Sequence, residues 1–293
     1  MAPEPKARDG VLAHDWLGAC RRAAEGLETV LREHPTSAER IVETGERGGG
    51  GDLTLVIDAA AEDAVFSELE RLHADGARFT AVAEERGLVD FGDPGVLVVI
   101  DPIDGSMNAK RGLTHHALSV AVADGPTMAD VVFGFVYDLG PVEEWRAVRG
   151  GGAFLNDAPL DDPMPERRRR DGKLELVAIE SANPRWLAAS SEALCTVTGR
   201  VRAMGSIAIS LCQVAATRVD GMATLANCRA VDAAAAQLIV RESGGFVAFT
   251  AMDEPLGAPL DLEPRSPVVA ARTEAALAEL ATLPAPNMDG ARS

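Results

Sequence analysis

The residues best placed to do chemistry lie at 96–108, which read VLVVIDPIDGSMN. Val96 through Ile100 form an unbroken apolar, mostly β-branched run, with Gly95 before it and Pro102 after it, and predict a fully buried strand. The run leads straight into Asp101 and Asp104. A carboxylate ending a buried strand is costly unless something pairs with it, and two of them three residues apart also repel. A divalent cation relieves both penalties, and an oxygen-only ligand set suits Mg²⁺ rather than Zn²⁺. Pro102 biases Asp101 towards an extended conformation, so the strand cannot run on as helix. Gly105 permits a tight turn and, lacking a Cβ, the approach of a ligand. Ser106 reads as the cap of a short helix over 107–111, whose free N–H groups favour phosphate. Taken alone, the same residues also fit an acidic solvated turn, since Asp, Pro and Gly are common there.

Four further carboxylates stand out, at three places. Asp58 lies near the start of a helix predicted over 53–72. Glu84 and Glu85 end a short strand over 79–83. Asp232 occupies the first turn of an alanine-rich helix over 231–242, where the helix dipole favours a carboxylate. Singly, each fits a solvated surface group or a cap.

The elements that must position them alternate throughout. A helix over 11–32 carries Leu12, Trp16, Cys20, Leu27 and Leu31 at near-helical spacing. Strands follow at 117–123 and 131–136, then a hairpin of 144–148 with 150–160. The second part predicts strands at 174–179, 221–225, 245–249 and 268–271. Helices are predicted at 185–195, 206–217 (Ser206 as N-cap) and 273–280. Residues 1–9 and 284–293 are expected to be disordered, and 45–52, with glycines at 48–51, to form a mobile loop. Arginines 167–170 read as a solvated loop, and His115 and His116 as structural. The pattern predicts layered α+β or α/β packing. It divides into a half at 10–160 with most of the candidate ligands and a half at 172–283 with Asp232.

The 293 residues are 47% hydrophobic, with a net charge of −17 and a pI near 4.7. This balance argues against nucleic acid and anionic membranes as partners. Bound cations would invert the field locally for an anionic substrate. Cys20, Cys195, Cys212 and Cys228 form no CxxC pair and read as buried reduced thiols. Without an apolar leader segment or a run of ~20 apolar residues, a soluble cytoplasmic protein is expected.

The order of these carboxylates resembles the inositol monophosphatase family: Asp58 in LTLVIDAAAED, Glu84-Glu85, DPIDGSMN, and Asp232 in VDAAAAQLIVRESGG. GGGAFLND and MGSIAISLCQVAATRVDG fit as well, and the resemblance spans roughly 10–275. It implies an α-β-α-β-α sandwich and a Mg²⁺-dependent, Li⁺-sensitive phosphomonoesterase, usually a homodimer, acting on a small phosphorylated polyol or sugar. It implies two to three Mg²⁺ per site. Glu84, Asp101 and the Ile103 carbonyl would hold one ion, and Asp101, Asp104 and Asp232 another; Glu84 would also hold a third. Gly105 and Ser106 would cradle phosphate, while Asp58 with Ser106 would activate the attacking water. Gly205, Ser206, Leu225 and Arg229 would face the substrate. The chain departs from the family pattern at Ser106 (usually Thr), Ala83 (Gly), Ala109 (aromatic) and Val231 (Trp). Leu225 stands where inositol-specific members carry Glu. DGSxNA is closer to an archaeal-type branch, some of whose members also hydrolyse fructose 1,6-bisphosphate.

Overall fold

The computed structural model describes residues 10–47, 53–161 and 164–283. Its helices are α1 (Trp16–Glu33), α2 (Ser37–Arg40), α3 (Val56–Ala74), α4 (Ser106–Arg111), α5 (Pro184–Ala189), α6 (Ser191–Val197), α7 (Ile207–Ala215), α8 (Ala230–Glu242) and α9 (Glu274–Leu280). Strands β1 (Glu43–Arg47) and β2 (Leu53–Leu55) pair with each other. The large sheet is built from β3 (Thr80–Ala83), β4 (Gly87–Asp90), β5 (Leu97–Asp104), β6 (Ala117–Ala123), β7 (Val131–Asp138), β8 (Glu143–Val148), β9 (Gly152–Leu155) and β10 (Ala158–Pro159). A second sheet contains β11 (Val177–Glu180), β12 (Val201–Arg202), β13 (Gly221–Thr224), β14 (Phe246–Phe249) and β15 (Val268–Ala271). Strand orders are β10-β9-β8-β7-β6-β5-β3-β4 and β12-β11-β13-β15-β14.

Three buried clusters separate the layers. The first joins α1 and α3 to one face of the large sheet, with Leu27, Ile57, Phe66, Val98, Ile100, Leu118 and Val120. A second places α7 and α8 between the two sheets. The third seals the outer face of the small sheet under α5, α6 and α9. The result is the expected α-β-α-β-α sandwich. Alternation along β6 explains the middle layer: Leu118, Val120 and Val122 face α1 and α3, while Ala117, Ala121 and Ala123 face α8. Alanines at 233–236 answer them from the helix. Small side chains on both surfaces let backbone approach backbone. A Cβ on Gly134 of β7 would lie 2.5 Å from the Ala235 carbonyl oxygen. This tight seat brings the N-terminus of α8, and so Asp232, against the end of β5.

Some expectations are corrected. β5 does not stop at Ile100 but continues through Asp104, because a register irregularity between Asp101 and Asp104 takes up Pro102. Residues 53–55 are strand before α3 begins. The helix over 185–195 is two helices parted at Ser190. Gly45 lies within β1 rather than a mobile loop, while 48–52, 1–9 and 284–293 fall outside the described residues. Arg167 bonds Asp220 Oδ1 and the Thr217 carbonyl, and Arg168 bonds Glu279 and Glu166, so this part of the basic run is ion-paired instead of loose. Cys20, Cys212 and Cys228 are buried free thiols, but Cys195 is exposed on the short helix α6. No helix among the described residues is long and apolar enough to cross a membrane.

Candidate active site

The central loop is fixed from both sides of the fold. Gly105 adopts φ +87° and is the N-cap of α4, the place expected for Ser106. A Cβ there would lie 2.8 Å from the His115 carbonyl oxygen and 3.0 Å from that of Gly205. The missing side chain therefore admits neighbouring backbone, where a ligand had been expected. Asn108 Nδ2 clasps the same two segments, donating to the carbonyls of His115 (2.9 Å) and Met204 (2.7 Å). Glu180 at the end of β11 finishes the clamp, accepting from the N–H groups of Met204 and Gly205 and from Ser210 Oγ.

Asp101, Asp104 and Asp232 converge from β5 and α8, one oxygen of each lying within 4.8 Å of the others. They are 2%, 7% and 8% exposed. Asp101 Oδ1 accepts from the Ile103 N–H at 3.0 Å. Asp104 Oδ2 accepts from Ser206 Oγ at 2.6 Å and from the Ala208 N–H at 2.7 Å. Burial, then Glu84, Asp104 and Asp232, hold the Asp101 carboxyl well above its ordinary range. Burial and then Asp232 push Asp104 up to about 8, against the two hydrogen bonds it accepts. Burial also raises Asp232, with Arg229 opposing. Desolvated carboxylates crowded in this way favour the neutral form until a cation joins them. The donor set is all oxygen, hard and buried, and it fits Mg²⁺.

Above this floor opens a pocket of about 70 Å³, lined by Asp58, Glu84, Glu85, Asp101, Pro102, Ile103, Ser106 and Lys110. Asp101 alone belongs to both the pocket lining and the triad. Asp58 projects from the first turn of α3 and pairs with Lys110 Nζ of α4 at 3.5 Å. Burial raises its pKa, Lys110 lowers it and Glu84 raises it. Arg229, just before α8, donates from Nη1 to Glu84 Oε1 at 2.6 Å and from Nη2 to Asp232 Oδ1 at 3.2 Å.

The structure thus brings Asp58, Glu84, Asp101, Ile103 and Ser106 to one pocket and sets Asp104 and Asp232 beside it. Of the positions expected to face a substrate, Gly205 is exposed in the 204–206 turn. Ser206 is 1% exposed and turned to Asp104, capping α7 as predicted. Leu225 is also 1% exposed and packs with Leu174, Ile179 and Val269 in the outer core. Arg229 engages carboxylates of the pocket and the triad. Lys110, Asn108 and Glu180 escaped the sequence reading. Lys110 alone left a local signal, four residues after Ser106 on the same short helix.

The sequence profile of the inositol monophosphatase family matches residues 14–284. A fructose-1,6-bisphosphatase/inositol-1-monophosphatase of Methanothermobacter thermautotrophicus is 32% identical over 243 residues, covering 79% of this chain and 83% of that one. The Nus factor SuhB of Haemophilus influenzae is 32% identical over 234 residues, covering 79% and 84%. Among solved structures, inositol monophosphatase from Anabaena (Nostoc) sp. PCC 7120 superposes with a TM-score of 0.68 at 24% identity over 92% of this chain and 96% of that one, a likeness of fold. On this evidence the chain belongs to the inositol monophosphatase family and is a phosphoric monoester hydrolase.

Proposed function

We propose that the protein is a Mg²⁺-dependent phosphomonoesterase that hydrolyses inositol monophosphate or a related small polyol or sugar phosphate by direct attack of water. The observation that carries this reading is the buried convergence of Asp101, Asp104 and Asp232 beside a pocket edged by Asp58, Glu84 and Ser106. Asp101, Asp104, Asp232, Glu84 and the Ile103 carbonyl are the groups that would hold the metal. Bound there, Mg²⁺ would supply Lewis-acid polarisation of the ester and neutralise its charge. Gly105 and Ser106 offer the phosphate N–H groups at the start of α4. Asp58 and the Ser106 hydroxyl orient the water, and Asp58 accepts its proton. Burial raises the pKa of Asp58 and makes it a better base than a solvated carboxylate, while Lys110 opposes that shift.

A second substrate reading is favoured by Leu225. With Leu225 in the core, that position supplies no acidic group to select ring hydroxyls, and specificity is broad, with fructose 1,6-bisphosphate accepted as well. The free thiols fit a reducing cytoplasm, and the homodimer and Li⁺ sensitivity follow from the family reading. Phosphate release with and without Mg²⁺, on inositol, fructose, histidinol and nucleotide phosphates, tests the proposal. Activity is expected only with metal and on several esters. Turnover in excess chelator contradicts the metal assignment, and a preference above ~10³ for inositol 1-phosphate contradicts broad specificity, because that ratio requires hydrogen-bonding partners Leu225 cannot supply.

A further inference from the structure

Arg229 joins two carboxylates that come from distant parts of the chain. Glu84 follows β3 of the large sheet, and Asp232 lies in the first turn of α8. The guanidinium reaches both, at 2.6 Å and 3.2 Å, and the Arg229 backbone N–H adds a bond to Asp232 Oδ2 at 2.9 Å. Planar guanidinium forks suit carboxylate oxygens, and charge-assisted bonds of this length are strong. The guanidinium therefore occupies lone pairs that a divalent cation at the same carboxylates would need. Asp101 and Asp104 are treated differently: their oxygens accept from backbone N–H groups and from Ser206, which carry no charge.

We propose that Arg229 is an internal counter-cation: it holds Glu84 and Asp232 together in the metal-free protein, competes with the divalent cation for them, and is released when the metal binds. The inference rests on the metal reading above. Arg229 is 26% exposed at its side chain, and its backbone is anchored next to α8. Once released, the guanidinium stays tethered near the pocket, where an anionic ester brings it a new partner. Removing the arginine has two consequences of opposite sign. The metal-free protein loses its only described cation on Glu84 and Asp232 and is destabilised. The metal loses a competitor and binds more tightly.

The test is calorimetric titration of Mg²⁺ into chelator-stripped wild type, Arg229→Ala and Arg229→Lys, with melting curves of each in chelator. Expected are a lower metal-free melting temperature for Arg229→Ala and Mg²⁺ affinity raised on the order of tenfold, a typical coupling between two ligands. Arg229→Lys should fall between, since lysine keeps the charge without the fork. A variant that binds Mg²⁺ with wild-type or weaker affinity overturns the proposal, even though the metal reading survives. Absence of Mg²⁺ binding by wild type and variants alike overturns both. If Arg229→Ala does not fold, Arg229→Lys and the wild-type Arg229 side-chain N–H resonance decide. That resonance, assigned by its loss in the lysine variant, should shift on Mg²⁺ addition, and a static resonance together with unchanged Arg229→Lys affinity overturns the proposal.

Discussion

The floor and the rim of the site solve the same electrostatic problem in different ways. At the rim, Asp58 faces Lys110 and Glu84 faces Arg229, so both have a protein cation. On the floor, Asp101 and Asp104 are more deeply buried and are met by N–H groups and a hydroxyl, with Asp104 pushed up to about 8. Asp232 belongs to both, sharing Arg229 with the rim and its oxygens with the triad. A rim balanced by the protein and a floor left unbalanced is what a site needs if its floor is to be completed by a metal. Buried carboxylates met mainly by neutral donors oppose folding, which favours a cationic ligand at the floor.

The largest expected effect separates the two regions by sign. Asp101→Asn and Asp104→Asn should each lose at least ~10²-fold in kcat, the scale of removing one transition-state stabiliser. In chelator at alkaline pH, where these carboxyls ionise, the same variants should melt higher than wild type because a like-charge contact is gone, whereas Glu84→Gln should melt lower because Arg229 loses its shortest ion pair. Phosphate-release rates and melting curves check both. If floor and rim variants move the metal-free melting temperature in the same direction, the contrast between the regions is wrong.

Gly105→Ala sharpens the link between them. The new Cβ would meet the backbone oxygens of His115 and Gly205 at a φ of +87°. A cost on the order of 2 kcal/mol is expected from the left-handed conformation and the contact together, read by urea denaturation. Because the displaced 204–206 turn carries the Ser206 bond to Asp104, the loss should fall on metal binding more than on the Asp58–Lys110 pair.

How much of this was legible depends on sequence distance. Asp101, Asp104 and Gly105 fall within five residues, and local rules for a buried strand meeting acidic turn residues were enough to mark them. Asp58, Glu84 and Asp232 needed the order of motifs along the whole chain. The contacts that hold the site were not visible at all: Asn108 reaches Met204 across 96 residues, and Arg229 reaches Glu84 across 145. Ser206 was readable as a helix cap, but not as the hydroxyl under Asp104, because only the fold brings α7 to the end of β5. The burial of Leu225 was not visible either, because a position in a motif does not say what the fold packs against it. The layered fold was the easier inference, since periodicities of strand and helix are local, while the close packing that the alanines at 233–236 allow appears only in the structure.

The smallest effect is on pH dependence. Asp104 titrates near 8 in the folded, metal-free protein and near ~4 when unfolded. The folded state then holds more protons between those values, so metal-free stability should fall as pH rises from ~4 towards 8 and level off above. Mg²⁺, which needs the ionised carboxylate, should reverse that slope. Melting temperature against pH, with chelator and with Mg²⁺, reads both signs, and parallel curves would contradict the floor's role.

The most direct measurement is a calorimetric titration of Mg²⁺ into chelator-stripped wild type and Asp104→Asn, side by side near neutral pH. Wild type is expected to bind with release of protons, as the raised carboxyls ionise, and Asp104→Asn to lose that heat and proton release. Equal binding by the two proteins would contradict the claim that the buried triad is the metal site.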